Sequence, residues 1–398
     1  MPTQKPTKTR VLKQLAALTS LALAFAARGQ TASQTTQAIS NSLPADLPLI
    51  PEDVKLLTES MLWQQNLTVR TGAGWRDNAT LSPTNQQASA FLAGGFDCAL
   101  TRLPLDGLSV DIFVTGDSMR YLQNVPPDGE EFWIASGTVK KTLGDDWLIG
   151  FEGQWNYLNQ VEYAIFGNGV QNLEVEGDFF RARPFIRRNL GTNAWLQLDF
   201  NGAREVIDAP IGNDWRYGPK VTLGLGHEES SEVDLSYEFA AVDSDSLQAL
   251  ESNGTTDQPG TLTLYENDVD LRWHQYWDSD HHWSTETKVG LVLVKDNGGG
   301  YYNYDTYSGS ERLRFENKNW QITGTARLSP SDFPVQRTDV TTGPLLDIWT
   351  VHAGLHAERR LTRWLKLYAE YGYDRAVSNQ PSDRYISNVV TAGAIWEF

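Results

Sequence analysis

The side chains able to do chemistry in this chain are charged groups set two residues apart. Arg181, Arg183 and Arg187 stand at intervals of two and four, and Arg312 and Arg314 repeat the shorter interval. In an extended chain that spacing puts side chains on one face, so each run makes a basic ladder. Carboxylates alternate in the same way at Asp234 and Glu238, at Asp270 beside Arg272, and at Glu286 beside Lys288. Ladders of opposite sign hold lateral ion pairs or set a field across an aqueous passage. Catalytic spacings are missing: the chain has no HExxH, GxSxG or P-loop. His352 and His356 are four apart, about 13 Å at strand rise, too far to share a metal. His281-His282 would point to opposite faces of a turn. The acidic pairs Asp243/Asp245 and Asp296/Asn297 lack most ligands of a calcium site. The reading is therefore of no catalytic group, no metal and no cofactor.

The elements that must carry these ladders are strands. From Asn66 onward the apolar residues recur with period two. Val110, Ile112 and Val114 alternate with Asp111, Phe113 and Thr115; Leu196, Leu198 and Phe200 alternate with Gln197, Asp199 and Asn201. The pattern predicts strands over 66–76, 87–98, 108–118, 132–141, 147–158, 178–188, 195–206, 216–227, 232–241, 262–275, 283–295, 310–316, 319–328, 347–359, 364–375 and 386–398. The segment 310–328 reads equally as one long strand, so the count lies between about 14 and 18, with 16 the central value.

The connections fall into two alternating classes. Short polar turns stand at 144–146, 191–193, 228–231, 278–280, 317–319 and 360–363, and longer Gly-, Asp- and Pro-rich loops at 119–131, 159–177, 242–261, 296–310 and 329–346. Trp147, Trp195, Trp283, Trp320 and Trp364 each follow a short turn, which predicts one aromatic belt. Trp75, Trp155, Tyr157, Trp215, Tyr217, Tyr373 and Tyr385 lie near the long loops and predict a second. Tyr301, Tyr302, Tyr304 and Tyr307 follow three glycines and read either as a stacking surface for sugars or partners or as part of that belt.

The first 65 residues are of another kind. Lys5, Lys8, Arg10 and Lys13 precede an apolar stretch from Leu15 to Ala27 with small residues at Ala24-Phe25-Ala26, the pattern of a secretory signal peptide over 1–27. The stretch is short of the roughly 20 residues a spanning helix needs. Residues 28–65 read as a flexible leader ending in a short amphipathic helix, Pro51 to Trp63, that caps or plugs the strand region 66–398. The lone Cys98 allows no internal disulfide and reads as a small apolar residue on a strand. The net charge of −17 argues against nucleic acid and against anionic lipid surfaces.

The last strand carries the most specific signal. Val390, Ala392, Ala394, Trp396 and Phe398 share one face and end on a terminal aromatic. This resembles the assembly signal of Gram-negative outer-membrane β-barrels, and the resemblance covers the signal peptide and the whole strand region. It implies an all-β, antiparallel up-and-down transmembrane barrel in the outer membrane, recognised by the barrel-assembly machinery during insertion. In size the chain resembles the 16-stranded general diffusion porins, whose third long loop folds into the pore. The corresponding segment, 159–177, carries no constriction-loop motif, and the long stretch before the first strand also departs from the porin pattern.

With apolar faces toward lipid, the opposite faces line the lumen. That places Arg70, Asp97, Asp111, Glu152, Arg181, Arg183, Arg187, Asp234, Glu238, Asp270, Arg272, Glu286, Lys288, Arg312, Arg314, Arg327 and Glu370 inward. The leading expectation is a porin-like channel for passive diffusion of small hydrophilic solutes or ions. Its partners would be outer-membrane lipid, those solutes and, in an oligomer, further copies of the chain. The alternative is a surface-exposed binding, adhesion or envelope-structural barrel without transport; an outer-membrane enzyme is a third reading.

Overall fold

A computed structural model describes residues 62–398 apart from 105, 124, 126–127, 167–168, 209–212, 228–230, 255–259 and 339–342, with the backbone alone for 161–174. The signal peptide, the leader and the body of the expected 51–63 helix lie outside the described residues.

Sixteen strands run in chain order: β1 (Trp63–Arg76), β2 (Ser89–Arg102), β3 (Leu108–Tyr121), β4 (Gly129–Leu143), β5 (Trp147–Phe166), β6 (Gly169–Asn189), β7 (Ala194–Ile207), β8 (Asp214–His227), β9 (Ser231–Gln248), β10 (Thr261–Tyr276), β11 (Trp283–Asp296), β12 (Tyr304–Glu316), β13 (Trp320–Arg337), β14 (Leu345–Arg360), β15 (Leu365–Ser378) and β16 (Tyr385–Glu397). Each pairs antiparallel with its chain neighbours, and β16 pairs with β1 from Glu397↔Thr68 to Val389↔Arg76, so the sheet closes into an up-and-down barrel. Closure removes the open edges that a flat sheet would expose.

Alternation along the strands separates two faces. Leu198, Phe200, Leu235, Tyr237, Val289, Leu355, Val390 and Phe398 are exposed apolar side chains on one face. The charged ladders have the opposite parity. Arg76 on β1 identifies the concave side: it donates to Glu130 on β4 at 2.6 Å and to the Tyr121 hydroxyl on β3 at 2.9 Å, all three buried. A side chain passing two intervening strands to a buried partner does so across the inside of the curve. The apolar face is therefore convex, and Val390, Ala392, Ala394, Trp396 and Phe398 share it. The outer face is apolar but for a few polar groups, among them Glu311, which accepts a 2.5 Å hydrogen bond from Thr287.

The structure corrects several sequence expectations. The segment 159–177 is no loop: β5 and β6 stay paired from Asn159↔Glu176 to Phe166↔Gly169 as one long hairpin. The segment 310–328 is two strands joined at 317–319, where Asn317 Oδ1 accepts the N–H of Asn319 and of Trp320. The first strand begins at Trp63 rather than Asn66. Most strands run on past their expected ends into the long-loop side, because polar alternation continues there after the apolar period fades. Trp195 does not join its belt. It shares parity with Gln197 and Asp199, opposite the exposed Leu198 and Phe200, whereas Trp147, Trp283, Trp320 and Trp364 are exposed. Tyr385 likewise lies opposite the exposed Ile386.

The Arg76–Glu130 pair yields the first prediction. Removing one partner strands a buried charge and should cost about 3–5 kcal/mol. Glu130→Leu should lower the urea midpoint of detergent-folded barrel accordingly, and the double variant with Arg76→Met should recover most of the loss.

Candidate functional site

The concave wall from β5 to β12 is a lattice of cross-strand ion pairs set by register. Glu152 faces Arg183 and Gln154 faces Arg181 across β5/β6; Lys220 faces Asp199 on one side and Glu238 on the other; Arg272 faces Asp234 and Lys288; Glu286 faces Arg312. Directly opposed opposite charges stabilise a sheet, and here they meet. Arg181 donates to Glu152 at 2.6 Å, and Arg183 donates to the same carboxylate at 2.5 Å while lying 3.7 Å from Asp199. Arg216 pairs with Glu266, and Lys220 lies 3.6 Å from Glu238. Arg272 spans Asp234 at 3.0 Å and Glu286 at 2.8 Å, with Lys288 and Arg312 also on Glu286 at 3.2 and 3.5 Å. Asp270 sits over Gly290, where a Cβ would stand 2.6 Å from its carboxylate. Arg314 pairs with Glu316, and Arg327 donates to Ser329. The Arg187 guanidinium lies 3.9 Å over the Trp195 ring, a cation–π contact that accounts for the inward tryptophan.

The two signs are not equally presented. Arg181, Arg183, Lys220 and Arg272 keep 24–35% of their side-chain surface, whereas their partners Glu152, Asp199, Glu238 and Glu286 keep 16, 1, 15 and 6%. The longer cationic side chains reach over the shorter carboxylates, so this arc offers the lumen a basic surface. On the opposite arc the order is mixed: Lys140 keeps 39% against 26% for Asp111, yet two carboxylates stand out. Asp117 on β3, paired to Arg70, and Glu370 on β15, 3.6 Å from His356, are each 56% exposed, against 23% for Arg70 and 30% for His356. Arg70 also binds Asp97, Asp111 lies 3.6 Å from Lys140, and His352 contacts Asp374 at 2.6 Å. β1 and β9, the centres of the two arcs, are eight strands apart in a ring of sixteen.

All the sequence-nominated charges thus lie on the concave face. Sequence reasoning missed Arg216, Lys220 and Asp117, although each has the parity opposite to exposed neighbours such as Trp215, Tyr217 and Ile112. Among the described residues, no group of three or more His, Cys, Asp or Glu side chains is placed to hold a metal. Asp243 and Asp245 stand on β9, and Asp296 accepts the N–H of Gly298, Gly300 and Tyr302, so it organises its loop.

The long-loop end is packed from within. Tyr301 and Tyr302 bury against Leu247, Leu250, Leu262, Leu264 and Val294, with Gln336 donating to the Tyr301 carbonyl. They are core, neither belt nor free stacking surface; Tyr304 packs with them, while Tyr307 is exposed on the outer face. Ala79 and Val125 pack against Phe91 and Tyr121 inside β2 and β3. A 3-10 turn, Pro381–Asp383, joins β15 to β16 and touches β5, five strands round the ring.

No protein-family model matches the chain, and no curated protein matches it. Solved structures similar to it include the outer membrane channel DcaP of Acinetobacter baumannii (13% identity, TM-score 0.48, covering 84% of this chain and 97% of that one). An anion-selective porin from Comamonas acidovorans (10%, 0.44, 84% and 99%) and OpdQ of Pseudomonas aeruginosa (10%, 0.44, 84% and 97%) are also similar. The barrel assignment rests on this chain's own closed ladder.

Asp383 supplies a pH test of the mouth. Burial lifts its carboxyl from 3.8 to about 7, against a smaller opposing effect of the Ser382 hydroxyl. The folded loop holds this proton more tightly than the open one, so the stabilisation is complete below about pH 4 and is lost as pH rises to about 7. Hydrogen-exchange protection across 379–384, taken relative to the intrinsic rate at each pH, should therefore fall between pH 5 and pH 8, and Asp383→Asn should remove that fall.

Proposed function

We propose that the barrel is a porin-like channel of a Gram-negative outer membrane, passing small hydrophilic solutes or ions by passive diffusion. One observation carries this reading: the concave face is charged along its length, with cationic heads foremost from β5 to β12, inside an apolar convex face. A lipid-facing belt around a polar lumen is the layout of an outer-membrane barrel, and sixteen strands enclose room for water. Exposed cationic heads along one arc sort ions by sign. No step of catalysis is involved. The stripe from Val390 to Phe398 would be read by the barrel-assembly machinery, and oligomers would form through the convex face.

A closed barrel that binds or scaffolds without transport is the second reading, favoured by the apolar clusters that pack the loop end. Planar bilayers separate the two: stepwise conductance is expected, and silence from folded protein would overturn the channel. Arg181→Gln with Arg183→Gln leaves Glu152 uncompensated and Asp199 with Lys220 alone, so the chloride-to-potassium permeability ratio should fall. An unchanged reversal potential would remove both arginines from the conduction path.

A further inference from the structure

β7 makes a trough in the basic arc. At mid-height its inward residues are short, Asn201 and Ala203, while the flanking strands carry long cations: Arg181 and Arg183 on β6, Arg216 and Lys220 on β8. Together with Phe179 these groups line a recess of about 120 Å³ in the lumen wall. The lining also includes Glu238, so four cations face one carboxylate there. The other carboxylates that pair with the arginines lie outside the lining, and Asp199 keeps only 1% of its side-chain surface. Glu152 holds Arg181 and Arg183 from the β5 side, and Glu266 holds Arg216 from the β10 side. Glu152, Glu266 and Asp199 thus hold the cations from outside the lining, Glu238 holds Lys220 from within it, and the four converge over Asn201 and Ala203.

From this arrangement we infer that the β6–β8 recess is a binding site for a dianionic oxyanion of the size of inorganic phosphate. Guanidinium forks suit the oxygens of such an anion, and Lys220 adds a point charge from the opposite side. The site rests on the lumen being open to water, as the channel reading holds, and gives that channel a preferred solute.

Inorganic phosphate is the probe. Detergent-folded full-length protein at low ionic strength should bind it saturably, near one per barrel, in calorimetry. Lys220→Gln should weaken that binding by roughly tenfold or more, while Arg327→Gln, a concave-face cation outside the recess, should leave it unchanged; heat-modifiable migration confirms that each variant folds. Absence of saturable binding overturns the site. Equal weakening by the two variants also overturns it, because diffuse lumen charge would then suffice. In bilayers phosphate should lower the chloride current of the unsubstituted protein and spare that of Lys220→Gln. Binding without any conductance leaves the site standing and removes the channel; conductance without binding does the reverse.

Discussion

Every backbone N–H and C=O in a wall that faces hydrocarbon has to find its partner inside the wall, because lipid offers none. In this chain the condition is met by the β16–β1 ladder, which turns fifteen sequential hairpin pairings into a ring. Side-chain placement follows from that closure. Once the sheet is a ring, each residue is convex or concave by parity alone, and a shift of one residue would move every charge of a strand into lipid.

The ion-pair lattice is a consequence of that constraint. Charges confined to the concave face of neighbouring strands fall within reach of one another, and the register sets Glu152 beside Arg183 and Asp234 beside Arg272. Pairs with the carboxylate buried in this way lose desolvation energy that offsets much of their attraction. Their larger effect is on shape: carboxylates brace the cations from behind, and the cations present their heads to the lumen. Where β7 supplies only Asn201 and Ala203, the bracing leaves a hollow. On the far wall Asp117 and Glu370 stand out past Arg70 and His356, while Lys140 stands out past Asp111.

At the long-loop end a different balance holds. There apolar loop residues turn inward rather than outward. Tyr301, Tyr302 and Leu250 bury together, and Asp296 ties the loop backbone to itself. The buried Arg76–Glu130–Tyr121 group lies under the 77–88 connection on the other side. The mouth is thus a small soluble-type core built on a membrane wall.

Strand existence, strand number and the facing of nearly every charge were legible in the sequence, because a one-sided apolar environment imposes a strict period of two. The terminal stripe to Phe398 and the alternation of turn lengths were legible for the same reason. Strand ends toward the loops were not, since outside lipid the apolar half of the pattern no longer has to be kept; 159–177 looked like a loop and is a hairpin. Trp195 looked like a belt residue because its place after a turn matched the others, while its parity placed it with Gln197. Only the tertiary structure decided which charges meet. Pairing partners depend on register between strands, and the reach of Arg181 and Lys220 over β7 depends on the curvature of a closed ring, neither of which is written in the spacing of any one strand.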